Sequence, residues 1–237
     1  MRMGVGGRGL EVLGAEAGRP GPLVTGAPYS ADVVSQITET LPDGNTIRQT
    51  STTRIYRDSQ GRTRREPALN ALGNAVPGGS LPQLAFINDP VAGVSYALDL
   101  TNHAATRTPL SPGAGQARPN RVPRQRPDAA NVRSESLGRQ VISGVPADGT
   151  RTTLTIPAGQ IGNAQPIQVV TESWYSADLQ LTLLSRRSDP RSGETVVQLS
   201  NLSRAEPSSM LFVVPGDFQI AEQPRGMRRN RGAAPAQ

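Results

Sequence analysis

Apolar residues recur at every second position along most of this chain, and clusters of Gly, Pro, Asn and Asp separate the runs. In Ala31 to Leu41, Val33, Ile37 and Leu41 share one parity. Pro42-Asp43-Gly44-Asn45 turns the chain, because Pro presets φ and Gly admits φ > 0. The return run Thr46 to Arg57 sets Ile47 and Ile55 on one face with Gln49, Ser51 and Thr53. Such a strand favours β structure while burying little. Asp58-Ser59-Gln60-Gly61 turns again into Arg62 to Glu66, which completes a three-stranded meander. Leu84 and Phe86 alternate in the next run. Val94, Tyr96, Leu98 and Leu100 then oppose Ser95, Ala97 and Asp99, and Ala105 to Leu110 follows a turn at Thr101 to Ala104.

The second half keeps the period. Arg133 to Val145 and Arg151 to Ile156 flank Pro146-Ala147-Asp148-Gly149, which reads as a hairpin turn. Gln168 to Tyr175 predicts a strand. Leu179, Leu181 and Leu183 alternate with Gln180 and Thr182, and Thr195 to Arg204 follows a turn at Asp189 to Gly193. Glu206 to Ser209 suits a single helical turn, and Leu211 to Val214 with Phe218 to Ile220 close the chain. About ten strands joined mostly by tight turns make the fold mainly β and antiparallel, with very little helix. Two filled inner faces are what a sandwich needs. With few aromatics, one strongly curved sheet, a half-barrel-like meander, is favoured over it.

Composition changes this picture at the ends. The chain has 237 residues, 35% hydrophobic, with 25 Gly and 21 Pro, no cysteine, one histidine and a formal charge of +6. Disulfides, thiolate chemistry and His-cluster metal sites are excluded. No cofactor is expected. Every basic residue is arginine. Segments 1–22, 111–132 and 222–237 together hold eleven arginines against four acids, which leaves fourteen against fifteen elsewhere. The expected organisation is a flexible Gly-rich tail over 1–22 and one β domain over 23–221. A disordered Pro/Arg-rich loop interrupts it at 111–132, and 222–237 forms a flexible Arg-rich tail. The folded part is close to neutral, so no specific nucleic-acid recognition is expected. Weak polyanion binding through the Arg-rich segments is the alternative function.

No run approaches the ~18 apolar residues of a membrane helix. Four Tyr, three Phe and one Trp are too few for the aromatic girdles of a transmembrane barrel. Met1 to Gly9 lacks the apolar region of a secretory signal. The chain is therefore read as staying inside the cell, or as the mature or truncated form of an exported protein.

Candidate chemistry is sparse. His103 with a carboxylate such as Asp99 and a serine is the hydrolase alternative, but no nucleophile elbow accompanies it. Non-enzymatic binding is the leading reading. Asp43, Asp58, Asp89, Asp148, Asp178 and Asp189 all fall in turns, where Asp caps its own backbone. Arg57, Arg62, Arg64 and Arg65 cluster about one hairpin, where their fork-shaped heads can clamp a phosphate or carboxylate, or simply pair across strands. Val94, Tyr96, Leu98, Leu179, Leu181 and Leu183 are the candidate lining for an apolar ligand. Adjacent Trp174 and Tyr175 must face opposite sides, one core and one surface.

Val24-Thr25-Gly26-Ala27-Pro28-Tyr29-Ser30-Ala31, Ile55 to Glu66 (IYRDSQGRTRRE) and Ile87 to Gly93 (INDPVAG) resemble segments of a group of exported bacterial β proteins with no assigned activity. Gly144 to Gly149, Ile156 to Asn163 and Leu211 to Pro215 match the same group, so the resemblance spans about residues 23–220. It implies a periplasmic or cell-envelope location and transfers no functional residue. More loosely, the strand order and the closing Leu-Phe-x-x-Pro turn are similar to the lipoprotein-carrier half-barrel superfamily. There a curved sheet wraps an apolar cavity plugged by helices. The implied partners are an apolar or lipid ligand, or another envelope protein. This chain departs from that pattern in having almost no helix to form the plug.

Overall fold

Twelve strands form in the order the alternation predicts, two more than the expected ten. They are β1 (Tyr29–Thr40), β2 (Thr46–Arg57), β3 (Thr63–Pro67), β4 (Leu84–Asp89), β5 (Val94–Asp99), β6 (Ala104–Pro109), β7 (Val132–Ile142), β8 (Val145–Ile156), β9 (Ile167–Ser176), β10 (Leu181–Asp189), β11 (Gly193–Ser203) and β12 (Gln219–Glu222). The computed structural model describes residues 23–68, 83–110 and 129–222. The expectations for the 1–22 tail, for residues 111–128 of the Pro/Arg-rich loop and for 223–237 lie outside the described residues. Of that loop, Ala129–Asn131 form a 3-10 turn and Val132 already opens β7. Glu222, expected in the tail, ends β12.

All twelve strands join one sheet in the order β12-β6-β5-β4-β3-β2-β1-β11-β10-β9-β8-β7. Every ladder is antiparallel except β12 on β6. Among the described residues no ladder joins β7 to β12, so the sheet is open rather than a closed barrel.

Direct cross-strand partners share a face, so the register assigns the faces. Tyr29, Ala31, Val33, Ser35 and Ile37 of β1 lie opposite Arg57, Ile55, Thr53, Ser51 and Gln49 of β2. We call this the inner face. It holds the larger core: Tyr29, Ala31, Val33, Val145, Ala147, Trp174, Leu179, Leu183 and Leu199. The sheet curls toward it. The hydroxyl of Ser143, between β7 and β8, donates to the Leu199 carbonyl of β11 at 2.7 Å, although β10 and β9 lie between β11 and β8. The Arg57 guanidinium reaches the Leu179 carbonyl, ahead of β10, from β2.

The buried face changes within the sheet. Arg64 pairs with Tyr56 and Ile87, and Ile87 pairs with Tyr96. These residues belong to the other, outer face. The second core, Ala85, Ile87, Leu98 and Ala105, therefore lies on the side opposite the first. It is covered from the C-terminal side. A 3-10 turn at Ser209–Phe212 packs on β3 and β4, and Val214 and Phe218 pack on the second core. We call Arg204 to Glu222 the strap, since it leaves β11 mid-sheet and ends as β12 on the far edge.

Two local expectations need correction. The hairpin turn of β7 and β8 is Ser143-Gly144, not Pro146 to Gly149. Both turn residues have positive φ, 49° and 80°, which matches the twist of the flanking strands. Pro146 and Asp148 instead lie within β8, opposite Val141 and Arg139. Pro146 is tolerated because the β8–β9 ladder begins only at Asp148. Leu211 and Phe212 form the end of a 3-10 turn rather than a closing strand.

Candidate functional site

The hairpin arginines sit on both faces of the sheet. Arg57 and Arg65 belong to the inner face, where Arg57 opposes Tyr29 and Thr63, and Arg65 opposes Ile55 and Phe86. Arg64 belongs to the outer face. The four therefore do not converge on one anion.

Arg62 and Arg64 fasten the strap. Arg62 Nε donates to Asp58 Oδ2 at 2.6 Å, and its guanidinium lies 5.2 Å from the centre of the Phe212 ring. Arg64 Nε donates to Glu66 Oε1 at 2.6 Å and its Nη1 to the Leu211 carbonyl at 3.0 Å. Glu206 of the strap accepts the backbone N–H and the hydroxyl of Ser59 at 3.0 and 3.1 Å. Asp58 is buried and holds the turn, with Oδ1 accepting the N–H groups of Gln60 and Arg62 at 3.1 and 2.8 Å.

Arg57 differs from these. It is buried, and its Nε donates to the Ala27 carbonyl at 2.9 Å while Nη2 donates to the Leu179 carbonyl. Its guanidinium stacks 4.7 Å from the Tyr29 ring centre. Burial pushes its pKa down, opposed by the nearby phenols of Tyr29 and Tyr175.

The six apolar candidates separate in the same way. Leu98 is at the centre of the outer-face core, Tyr96 packs against that core, and Val94 is buried on the same face. Leu179 and Leu183 are within the inner core and Leu181 packs against it. Leu179 lies in the turn ahead of β10 rather than in the strand. One lining of all six does not exist, because the buried parity switches between β2 and β4.

What the inner face presents at the margin of its core is a different set, of which Ile55 and Val197 pack against that core. Ile55, Ile37 and Val197 are half-buried on adjacent strands β2, β1 and β11. Small hydroxyl side chains run beside them: Ser51 and Ser35 are direct partners, and Ser185 continues the row beyond Val197. No described helix lies over Ile37, Ile55 and Val197. On the outer face of β1 and β2 stand Asp32, Gln36, Arg54 and Thr52. Sequence reasoning missed this surface because the apolar members are spaced one per strand and never form a run.

His103 is in a turn at φ 50°, its Nδ1 is 2.6 Å from Asp217 Oδ2, and its ring stacks on Phe218 at 5.4 Å. Asp99, the carboxylate a hydrolase reading would use, instead caps the N–H groups of Thr101 and Asn102 at 3.0 Å each. Trp174 is buried and Tyr175 is 45% exposed. Among the described residues no cluster of His, Asp and Glu is placed to hold a metal ion. No described helix is long and apolar enough to cross a membrane.

No protein-family model matches the sequence, and no curated protein matches it. Solved structures of similar shape include the Pseudomonas aeruginosa MucA/MucB complex, with 15% identity, a TM-score of 0.44, and cover of 83% of this chain and 58% of that one. An uncharacterized conserved protein from Thermus thermophilus has 14% identity and a TM-score of 0.43, over 83% of this chain and 91% of that one. A LolA superfamily protein from Nitrosomonas europaea has 12% identity and a TM-score of 0.32, over 79% and 90%. This chain spans less than two thirds of the length of the chain it matches in the MucA/MucB complex.

Proposed function

We propose that this chain is a non-catalytic binding protein of the cell envelope whose inner face takes an apolar ligand. One observation carries the reading: Ile37, Ile55 and Val197 form a half-buried apolar track on the inner face of a sheet that curls toward that face. Covering such a track with hydrocarbon is favourable at roughly 25 cal/mol per Å², less the cost of association. The envelope assignment rests on the motif resemblance of Val24 to Ala31, Ile55 to Glu66 and Ile87 to Gly93. The same resemblance makes a segment of another envelope protein an alternative occupant of the track.

A neutral apolar fluorophore such as N-phenyl-1-naphthylamine tests it. The protein is expected to raise the probe's emission saturably. Val197→Asp, on the inner face, is expected to weaken binding at least tenfold, about 1.4 kcal/mol. Val196→Asp, on the same strand but opposite Gln36 on the outer face, should leave binding unchanged. Equal loss in both variants, or no saturable signal, removes the inner face as the binding surface.

A further inference from the structure

Four charged side chains are buried in the described residues, and three of them have an opposite charge in contact. Asp58 has Arg62 at 2.6 Å, Arg64 has Glu66 at 2.6 Å, and Asp189 has Arg191 at 2.7 Å. Arg57 is the exception. It is 6% exposed, and no carboxylate among the described residues makes an ion pair with it. Two carbonyl oxygens and a phenol ring are its contacts. A buried cation without an anion is costly, and carbonyl dipoles with a π face offset only part of that. Three of its five N–H groups are not used by those two carbonyl bonds.

Its surroundings fit a small anion. Thr63 is its direct partner on the same face, and Arg65, two residues further along β3, is its diagonal neighbour. Diagonal neighbours on one face are about 7–8 Å apart, within reach of a phosphate bridging two guanidinium groups. Tyr175, 45% exposed, is close enough to act on Arg57 electrostatically. Ile55 is two residues below Arg57 on β2 and faces the same way, followed by the track of Ile37 and Val197.

We propose that Arg57, with Arg65 beside it, is a head-group site that takes the phosphate or carboxylate of an anionic amphiphile. The hydrocarbon of that amphiphile lies along the Ile55, Ile37 and Val197 track. This rests on the inner face being the apolar binding surface, and it adds the chemical class of the ligand. The unpaired charge is what the ligand neutralises.

Four probes of the full-length chain separate the possibilities: dodecyl phosphate, dodecanoate, dodecanol and inorganic phosphate, the amphiphiles below their micellar concentrations. Both anionic amphiphiles are expected to bind about tenfold tighter than dodecanol, and inorganic phosphate far more weakly than dodecyl phosphate. Arg57→Gln should collapse the gap between anion and alcohol while leaving dodecanol binding in place. Should Arg57→Gln fail to fold, Arg65→Gln should narrow the same gap several-fold. Equal binding of dodecyl phosphate and dodecanol overturns the head-group assignment and leaves the apolar face standing. Binding of neither overturns both readings. Inorganic phosphate binding as tightly as dodecyl phosphate overturns the amphiphile and leaves a free-anion site.

Discussion

At the scale of single residues, the strongest constraints sit where the backbone leaves no room. Gly193 opens β11 at φ +87°, and a Cβ there would stand 2.0 Å from the Thr38 carbonyl oxygen of β1. Gly44 also has positive φ, +84°, yet a Cβ there would meet nothing within 4 Å. Gly44→Ala should therefore cost only the left-handed strain, about 1 kcal/mol. Gly193→Ala should cost about 3 kcal/mol, since it adds a clash with backbone that cannot rotate away. Urea unfolding of the two variants checks this, and equal losses would contradict the contact. Asp189 gives a second test. Arg191 grips its carboxyl with two hydrogen bonds, 2.8 and 2.7 Å, and the backbone N–H of Arg191 adds a third, holding its pKa down to about 2. A free Asp titrates near 4. The folded state thus gains about 2 kcal/mol from this group above pH 4, and loses it as the pH falls toward 2. The stability gap between wild type and Asp189→Asn should shrink across that window and stay flat from pH 5 to 7. A gap unchanged at pH 2 would mean the carboxylate is not what Arg191 stabilises.

At the scale of elements, alternation made the strands legible and left their partners and faces obscure. Thr46–Arg57 is bounded in the structure as the sequence predicts, because Pro42 to Asn45 and Asp58 to Gly61 are strong turns. The β7–β8 turn was misplaced because Pro-Ala-Asp-Gly outranks Ser-Gly as a turn signal. Serine at positive φ, 49°, has no mark in the sequence. Asp148 looked like a turn cap but serves Arg139 across the ladder at 2.8 and 3.2 Å. The switch of buried face between β2 and β4 was equally hidden, because both strands alternate and parity alone does not say which side is covered. The covering element is the strap, whose Phe212 is buried in a turn that packs on β3 and β4, more than 120 residues earlier in the chain. Phe212→Ala removes that anchor and should cost about 3 kcal/mol. The loss should be local. Amides in β12 and those of β6 facing it should exchange faster, while β8 and β9 keep their protection. Uniform acceleration across the sheet would show that the strap is integral to the whole fold.

At the scale of the molecule, one sheet carries two cores on opposite sides, and the join between them is thin. β3 has five residues and pairs with β4 through only three, Thr63 with Asn88, Arg64 with Ile87 and Arg65 with Phe86. On one side of this join stand β1, β2 and β7 to β11 around the inner core, and on the other β4 to β6 and β12 around Ala85, Ile87, Leu98 and Ala105. The strap is the second bridge, since it runs from β11 to β12. A unit of four short strands with five buried apolar residues, Ala85, Ile87, Val94, Leu98 and Ala105, cannot hold alone. It can still open while the larger unit stays folded, because the ladder it gives up is short. Leu98→Ala should lower that opening by about 3 kcal/mol and speed exchange in β4 to β6 only. Leu183→Ala, in the inner core, should speed exchange in β1, β10 and β11, while β4 to β6, already exchanging through their own opening, change little. Native-state hydrogen exchange reads both. Acceleration of all strands alike by Leu98→Ala would mean that the three-pair ladder transmits the full cooperativity of the sheet, and that the two cores fold as one.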